Sequence, residues 1–159
     1  MDSGAGGGRA VTTFVDLYAT AYGPMVRLGH LLTGSNEVGE EIAQDAFGRA
    51  YLVFDTLDNP GGYVRRSVVN GCRSWQRRRA VERRFAARAV APPAAVDRAP
   101  SDLLDALAAL PFRQRAALVL RFYEDRTMDE IAAALGCRTG TAKSLVSRGL
   151  ARLREQVER

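Results

Sequence analysis

The sequence predicts an all-α protein: two small helical domains joined by a Pro/Ala-rich linker, the second domain containing a helix-turn-helix. Three observations lead there. Apolar residues recur at i, i+4, i+8 and i+11 in two separate stretches, Val64, Val68, Cys72, Trp75 and Ala142, Val146, Leu150, Leu153, the spacing of one stripe on an α-helix. Helix punctuation stands where it should: Thr127 is followed three residues later by Glu130, a capping box, and Gly136 sits where a left-handed residue ends a helix and turns the chain. Between the two stretches, Ala89 to Pro100 reads AVAPPAAVDRAP, a semi-rigid linker by composition. The expected division is a flexible tail over residues 1–10, a first domain over 11–88, the linker over 89–100 and a second domain over 101–159.

The tail, MDSGAGGGRA, has no following GK[ST] and no apolar core, so it is neither a phosphate loop nor a signal peptide. From Val11 to Leu32, Phe14, Leu17, Tyr18, Met25, Leu28 and Leu32 keep helical spacing, and Gly23-Pro24 predicts two helical pieces joined by a kink or turn. Thr33-Gly34-Ser35-Asn36 is a turn with cap chemistry. The next helix, Glu37 to about Phe54, is expected to bury Val38, Ile42, Ala46 and Ala50, with Phe47 and Phe54 near the edge. Its opposite side holds Glu37, Glu40, Glu41 and Gln44, with Tyr51 beside them, and carboxylates suit a helix N-terminus. Asp55 to Gly62, DTLDNPGG, reads as a loop.

A helix from Tyr63 to about Arg88 carries the first stripe, with Trp75 expected in the core. Opposite that stripe Arg66, Asn70, Arg73 and Arg77 fall within about a quarter turn of one another. Arg binds backbone phosphates, Asn makes paired contacts with a base edge, and Tyr63 beside them can stack on an unpaired base. Arg78, Arg79, Arg83, Arg84 and Arg88 extend the basic run. Ser101 is expected to cap a helix with Leu103, Leu104, Leu107 and Leu110 inward. Pro111 opens another, with Ala117, Leu118, Val119, Leu120 and Phe122 in its core. The helix-turn-helix from Thr127 to Leu153 follows. Its second helix turns Thr141, Ser144 and Arg148 outward, with Lys143 and Ser147 on the flank. Small hydroxyls and basic heads on one face are what a major groove accepts.

Composition sets the bounds. At 159 residues with 47% hydrophobic and 26% charged residues the chain is globular. No apolar run approaches the ~20 residues that span a bilayer, so no membrane insertion is expected and the cytoplasm is the expected location. Net charge is +5, unevenly spread: residues 1–60 carry 3 Arg against 8 acids, residues 61–99 carry 10 Arg against 2, and residues 100–159 carry 10 Lys and Arg against 8. Such asymmetry points to two partners of opposite charge. Cys72, Cys137 and the single histidine, His30, form no metal spacing and no disulfide framework. No metal, cofactor or catalytic group is expected.

Three segments carry a resemblance. LPFRQRAALVLRFYEDRTMDEIAAALGCRTGTAKSLVSRGLARLR resembles the fourth conserved region of bacterial RNA polymerase sigma factors of the extracytoplasmic-function group, SigE-like members among them. EVGEEIAQDAFGRAY resembles the segment of that family that docks on the clamp helices of the polymerase's largest subunit. NPGGYVRRSVVNGCRSWQRRRAVERR resembles the segment that recognises and opens the minus-10 element. The match runs from about Val11 to Gln156, nearly the whole chain, in the family's order.

The resemblance implies a sigma factor without catalytic activity that binds core RNA polymerase and promoter DNA, and it leaves room for an anti-sigma protein. By it, Glu40, Glu41, Gln44 and Asp45 bind core polymerase. Tyr63, Arg66, Asn70, Arg73 and Arg77 bind the minus-10 element, with Asn70 and the loop before Tyr63 holding a base flipped from the stack. Arg138, Thr141, Lys143, Ser144, Ser147 and Arg148 read the minus-35 element. The chain departs from the family pattern at Trp75, where many members carry Asp, at Leu145, where many carry Arg, and more mildly at Thr139 and Ala142. The residues alone also admit an autonomous helix-turn-helix regulator binding duplex DNA as a dimer, a DNA-processing enzyme such as a recombinase, and a non-enzymatic adaptor.

Overall fold

The structure, a computed structural model, describes residues 13–88 and 102–158. The expected tail over 1–10, the linker over 89–100 and the cap at Ser101 lie outside the described residues. Every regular element among the described residues is helical: α1 (Phe14–Thr33), α2 (Asn36–Val53), α3 (Pro60–Arg88), α4 (Asp102–Ala108), α5 (Phe112–Leu118), α6 (Met128–Leu135) and α7 (Thr139–Val157). A single 3₁₀ turn at Phe54–Thr56 follows α2, and a π turn at Val119–Tyr123 continues α5.

The caps explain where α1 and α2 begin and end. The Thr13 hydroxyl accepts from Asp16 N at 3.1 Å, and Gly34, at φ 81°, turns its N–H back to the His30 carbonyl at 2.7 Å. Ser35 then starts α2 by accepting from Val38 N at 3.2 Å. The two helices cross at Gly29 and Gly39, where a Cβ on Gly29 would stand 2.7 Å from the Gly39 Cα. Only a side chain of hydrogen lets the backbones approach that closely.

The helices differ from expectation in ways that share one cause, tertiary packing. α1 is continuous through Gly23-Pro24 rather than two pieces. Proline takes one hydrogen bond from the Thr20 carbonyl, but Thr20, Gly23 and Pro24 lie on the solvent-exposed side of the helix. Leu17 on one side of the proline and Met25, Leu28 and Leu32 on the other are all buried, and their packing holds one axis. In α2 the buried stripe is Gly39, Ala43, Ala46, Phe47 and Ala50, with Val38 and Ile42 only half-buried. Phe47 is therefore central and not peripheral, because the Gly29–Gly39 crossing rotates that face inward. The NPGG segment does not remain a loop: Pro60 opens α3, and the Asn59 side chain caps it by accepting from Gly62 N at 3.1 Å. A proline in the first turn gives up no helical bond.

Three large side chains expected in the core are not there: Leu103 and Phe122 are exposed, and Trp75 is half-buried at a cleft with the Arg79 guanidinium 5.3 Å from its ring. Pro111 stands just outside α5 as its N-cap, one residue before the expected position.

Helices α1 to α3 pack on one another, as do α5 to α7, and the two groups meet where α6 lies on α3 and α4 on α1. Arg115 sits in this seam with 4% of its surface exposed. Its guanidinium donates to the Leu107 carbonyl at 2.8 Å, the Leu110 carbonyl at 2.9 Å, the Leu32 carbonyl at 2.7 Å and Gln76 Oε1 at 2.8 Å. The Leu32 carbonyl belongs to the last turn of α1, the negative end of that helix, where a cation is favoured.

Candidate nucleic-acid interface

The helix-turn-helix is built from local chemistry. The Thr127 hydroxyl accepts from Glu130 N, and the Glu130 carboxylate accepts from Thr127 N, each at 3.1 Å. That backbone hydrogen bond leads the forces holding the Glu130 carboxyl below its ordinary pKa. Gly136 takes the left-handed conformation at φ 64°, and Cys137 N closes the turn on the Ala132 carbonyl at 3.0 Å. Thr139 donates to Asp129 Oδ1 at 2.7 Å, pinning the start of α7 to α6. Ala142, Val146 and Gly149 are buried, and a Cβ on Gly149 would stand 3.0 Å from Leu118.

The residues that spacing assigned to the groove are placed together. Arg138, Thr141, Lys143, Ser144, Ser147 and Arg148 are all exposed on or just before α7. Leu145 is half-buried and packs on the core, so the departure from a family Arg there puts an apolar group where packing uses it.

The α3 set is divided. Arg66, Asn70 and Arg77 are exposed, while Tyr63 and Arg73 are half-buried. Tyr63 and Arg66 line a groove of about 410 Å³ between α3 and α6, with Asn59, Arg65, Asp129 and Glu130 on its walls. Asn70 lines a separate groove of about 200 Å³ between α2 and α3, together with Asp45, Arg49, Ser67, Ser74 and Arg78. The structure therefore does not bring Asn70 and Asn59 of the preceding loop to one pocket. Ser74 and Arg78 follow Asn70 at i+4 and i+8, a signal present in the sequence, whereas Arg49 joins them from α2 and only packing reveals it.

On α2, Glu40, Glu41 and Gln44 are exposed on one side, and Asp45 turns toward the Asn70 groove. Gln44 Nε2 donates to the Tyr22 hydroxyl at 3.3 Å and to Glu40 Oε1 at 3.5 Å. Tyr22 stacks on Tyr18 with ring centres 4.7 Å apart, and Phe14 meets Tyr51 at 5.1 Å. Tyr18 and Tyr51 remain exposed. The carboxylate patch is thus rimmed by aromatic rings drawn from two helices, which periodicity within one helix could not assemble.

Charged groups also gather where α6 meets α3. Arg65 Nη1 lies 4.0 Å from Glu130 Oε2, and Arg126 Nη1 lies 3.2 Å from the same oxygen. Burial lowers the Arg65 pKa, with Arg126 adding to the effect, and burial raises that of Glu124 beside them. The Cys72 thiol, on the buried side of α3, is pushed up to about 12 by desolvation, which leaves it a packing group and not a nucleophile. No group of three or more metal-binding side chains occurs among the described residues, and no helix there is long and apolar enough to cross a membrane.

Comparison with known proteins agrees with this geometry. The family "Sigma-70, region 4" matches residues 101–153, the segment that ends in the helix-turn-helix. The RNA polymerase sigma-E factor of Streptomyces coelicolor is 31% identical over 92% of this chain and 87% of its own length. The ECF RNA polymerase sigma factor SigE of Mycolicibacterium smegmatis is 33% identical over 81% of this chain and 55% of its own. Among solved structures, the sigma factor RpoE of Bartonella quintana, in complex with the anti-sigma factor NepR, shares the fold. Its TM-score is 0.76 at 23% identity, over 91% of this chain and 96% of that one. With a relative 31% identical over 87% of its own length and the region 4 segment in place, the chain belongs to the RNA polymerase sigma factors of the extracytoplasmic-function group.

Proposed function

We propose that this sigma factor directs promoter-specific transcription initiation through three surfaces. Glu40, Glu41 and Gln44, with Asp45 at the edge, bind basic residues of core RNA polymerase, and the aromatic rim of Tyr18 and Tyr51 extends that contact. The α3 face of Tyr63, Arg66, Asn70, Arg73 and Arg77 engages the minus-10 strand. The groove around Asn70, with Asp45, Arg49 and Ser74 on its walls, offers donors and acceptors to one extruded base, whose extrusion costs a few kcal/mol. The outward face of α7 enters the minus-35 major groove: Arg138, Lys143 and Arg148 supply charge for phosphates and guanine edges, and Thr141, Ser144 and Ser147 supply hydroxyls.

The carrying observation is that face of α7, where five exposed cationic and hydroxyl groups, with Arg138 at the N-cap before them, stand on a helix whose other side is locked to α5 and α6. No catalytic residue is assigned, and the protein's work is recognition in the cytoplasm. An anti-sigma protein is a further partner on this reading, supported by the Bartonella quintana neighbour solved with one. An autonomous regulator, acting as a dimer without polymerase, is not favoured by family membership.

Run-off transcription with purified core enzyme on a library of promoters tests the reading. The chain is expected to shift initiation to a defined promoter set. Asn70→Ala is expected to lose opening at minus-10 while still binding core polymerase; normal transcription from that variant removes Asn70 from the site.

A further inference from the structure

A cleft of about 470 Å³ lies where the end of α1, the second half of α3 and α4 meet, apart from the three surfaces assigned above. Trp75, Gln76, Arg79 and Arg83 line it from α3, Thr33 from the end of α1 and Arg115 from α5. Its volume falls within the ~300–1,000 Å³ of small-molecule sites. Three of the residues that line it are arginines and none is acidic. A cleft of one sign concentrates ligands of the other, so the ligand it draws is an anion.

Helical spacing builds the cationic wall. Trp75, Arg79 and Arg83 follow at i, i+4 and i+8, which sets them on one side of α3, away from the row of Arg66, Asn70, Arg73 and Arg77. The indole is half-buried, with the Arg79 guanidinium carbon 5.3 Å from its ring centre. A guanidinium lying over a ring uses its flat face there and keeps the N–H groups at its edge for an anion, which they can grip in pairs. Among the described residues, Arg79 and Arg83 make no hydrogen bond and no ion pair. Their donors are thus available to a ligand.

Cations alone would accept any polyanion, and the tryptophan narrows the choice. Periodicity assigns Trp75 to the core, yet it stands at this cleft and offers a flat apolar surface beside two free guanidinium groups. A base tied to phosphates matches both at once. Gln76 adds a polar group: its Oε1 accepts from Arg115 at 2.8 Å, which fixes the side chain and leaves its amide N–H groups for a base edge. Walls from α1, α3 and α4 give room for one nucleotide, not for the run of bases a strand presents.

We propose that this cleft binds a free nucleoside di- or triphosphate, with the phosphates between Arg79 and Arg83 and the base against Trp75. The site lies beyond the promoter-reading role, and testing it needs neither polymerase nor promoter DNA.

Trp75 is the chain's one tryptophan, so its fluorescence reports on this cleft alone. Titrating ATP or GTP into the full chain is expected to quench that emission saturably, with half-saturation below about 1 mM. Adenosine carries the ring without the charge and tripolyphosphate the charge without the ring; each is expected to bind at least about tenfold more weakly than ATP in calorimetry. Arg83→Ala removes an exposed side chain and is expected to weaken ATP binding by about tenfold or more with an unchanged melting temperature. Trp75→Ala, read by calorimetry, is expected to bring ATP down to the affinity of tripolyphosphate. If that variant does not fold, Arg83→Ala decides alone.

Quenching that never saturates overturns the proposal, as does ATP bound no better than tripolyphosphate, or ATP bound by Arg83→Ala as by wild type. A single-stranded oligonucleotide that quenches Trp75 at concentrations where ATP does not also overturns it, because the cleft would then lie on the path of a strand.

Discussion

Lys143 is the chain's one lysine, exposed on α7 with Ser144 and Ser147 close by. As a compact point charge it suits a phosphate rather than a base edge. Lys143→Ala is therefore expected to weaken promoter binding across all sequences, with the slope of log affinity against log salt falling by about one unit. Binding measured at several salt concentrations checks this, and an unchanged slope removes Lys143 from the interface. At this scale the legible features were those set by neighbours in sequence. The Thr127–Glu130 box and the left-handed Gly136 stand where spacing put them, because each forms within one turn of backbone. Phe47, Trp75 and Phe122 went otherwise: a helical period tells which residues share a side, but a neighbouring element decides where the centre of that side falls.

The element on which the first helical group depends is the crossing of α1 and α2. A Cβ on Gly39 would stand 2.6 Å from the His30 backbone nitrogen, and backbone cannot swing away as a side chain can. Gly39→Ala is expected to destabilise the protein by about 1–3 kcal/mol or more. At ~2–4 °C per kcal/mol for a chain of this size, the melting temperature should fall by several degrees in a circular-dichroism melt. A melt unchanged within a degree means that the helices separate without cost. No alternation or cap signal announces this contact, since a glycine inside a helical pattern reads only as a weak helix former. Pro24 teaches the same lesson in reverse. Its local rule favours a break, yet buried leucines and a methionine on either side of it keep α1 whole.

At the scale of the molecule, charge is segregated. The carboxylates of α2 face outward on one helical group, and the guanidinium row of α3 and the basic face of α7 lie elsewhere. A field of that kind steers partners of opposite sign to different sides. Reversing Glu40 and Glu41 to Lys is expected to weaken association with core polymerase, read as a slower on-rate and a lower affinity in surface-plasmon measurements at moderate salt. Unchanged association would leave the acidic face merely solvated.

The capping box at Thr127, the left-handed turn at Gly136, the helix-turn-helix and the sorting of its second helix into an inner and an outer face were determined by the sequence alone. Each follows from spacings shorter than about ten residues, over which backbone geometry dictates direction. The tertiary structure decided what periodicity does not encode: that Phe47 is central, that Asn70 shares its groove with Arg49 and Asp45, and that α6 lies across Tyr63 and Arg66. These depend on contacts between residues far apart in the chain, and the Arg115 guanidinium shows why. Its acceptors at Leu32 and Gln76 stand 83 and 39 residues away, a distance over which no local pattern carries information, so only the packed molecule brings them together.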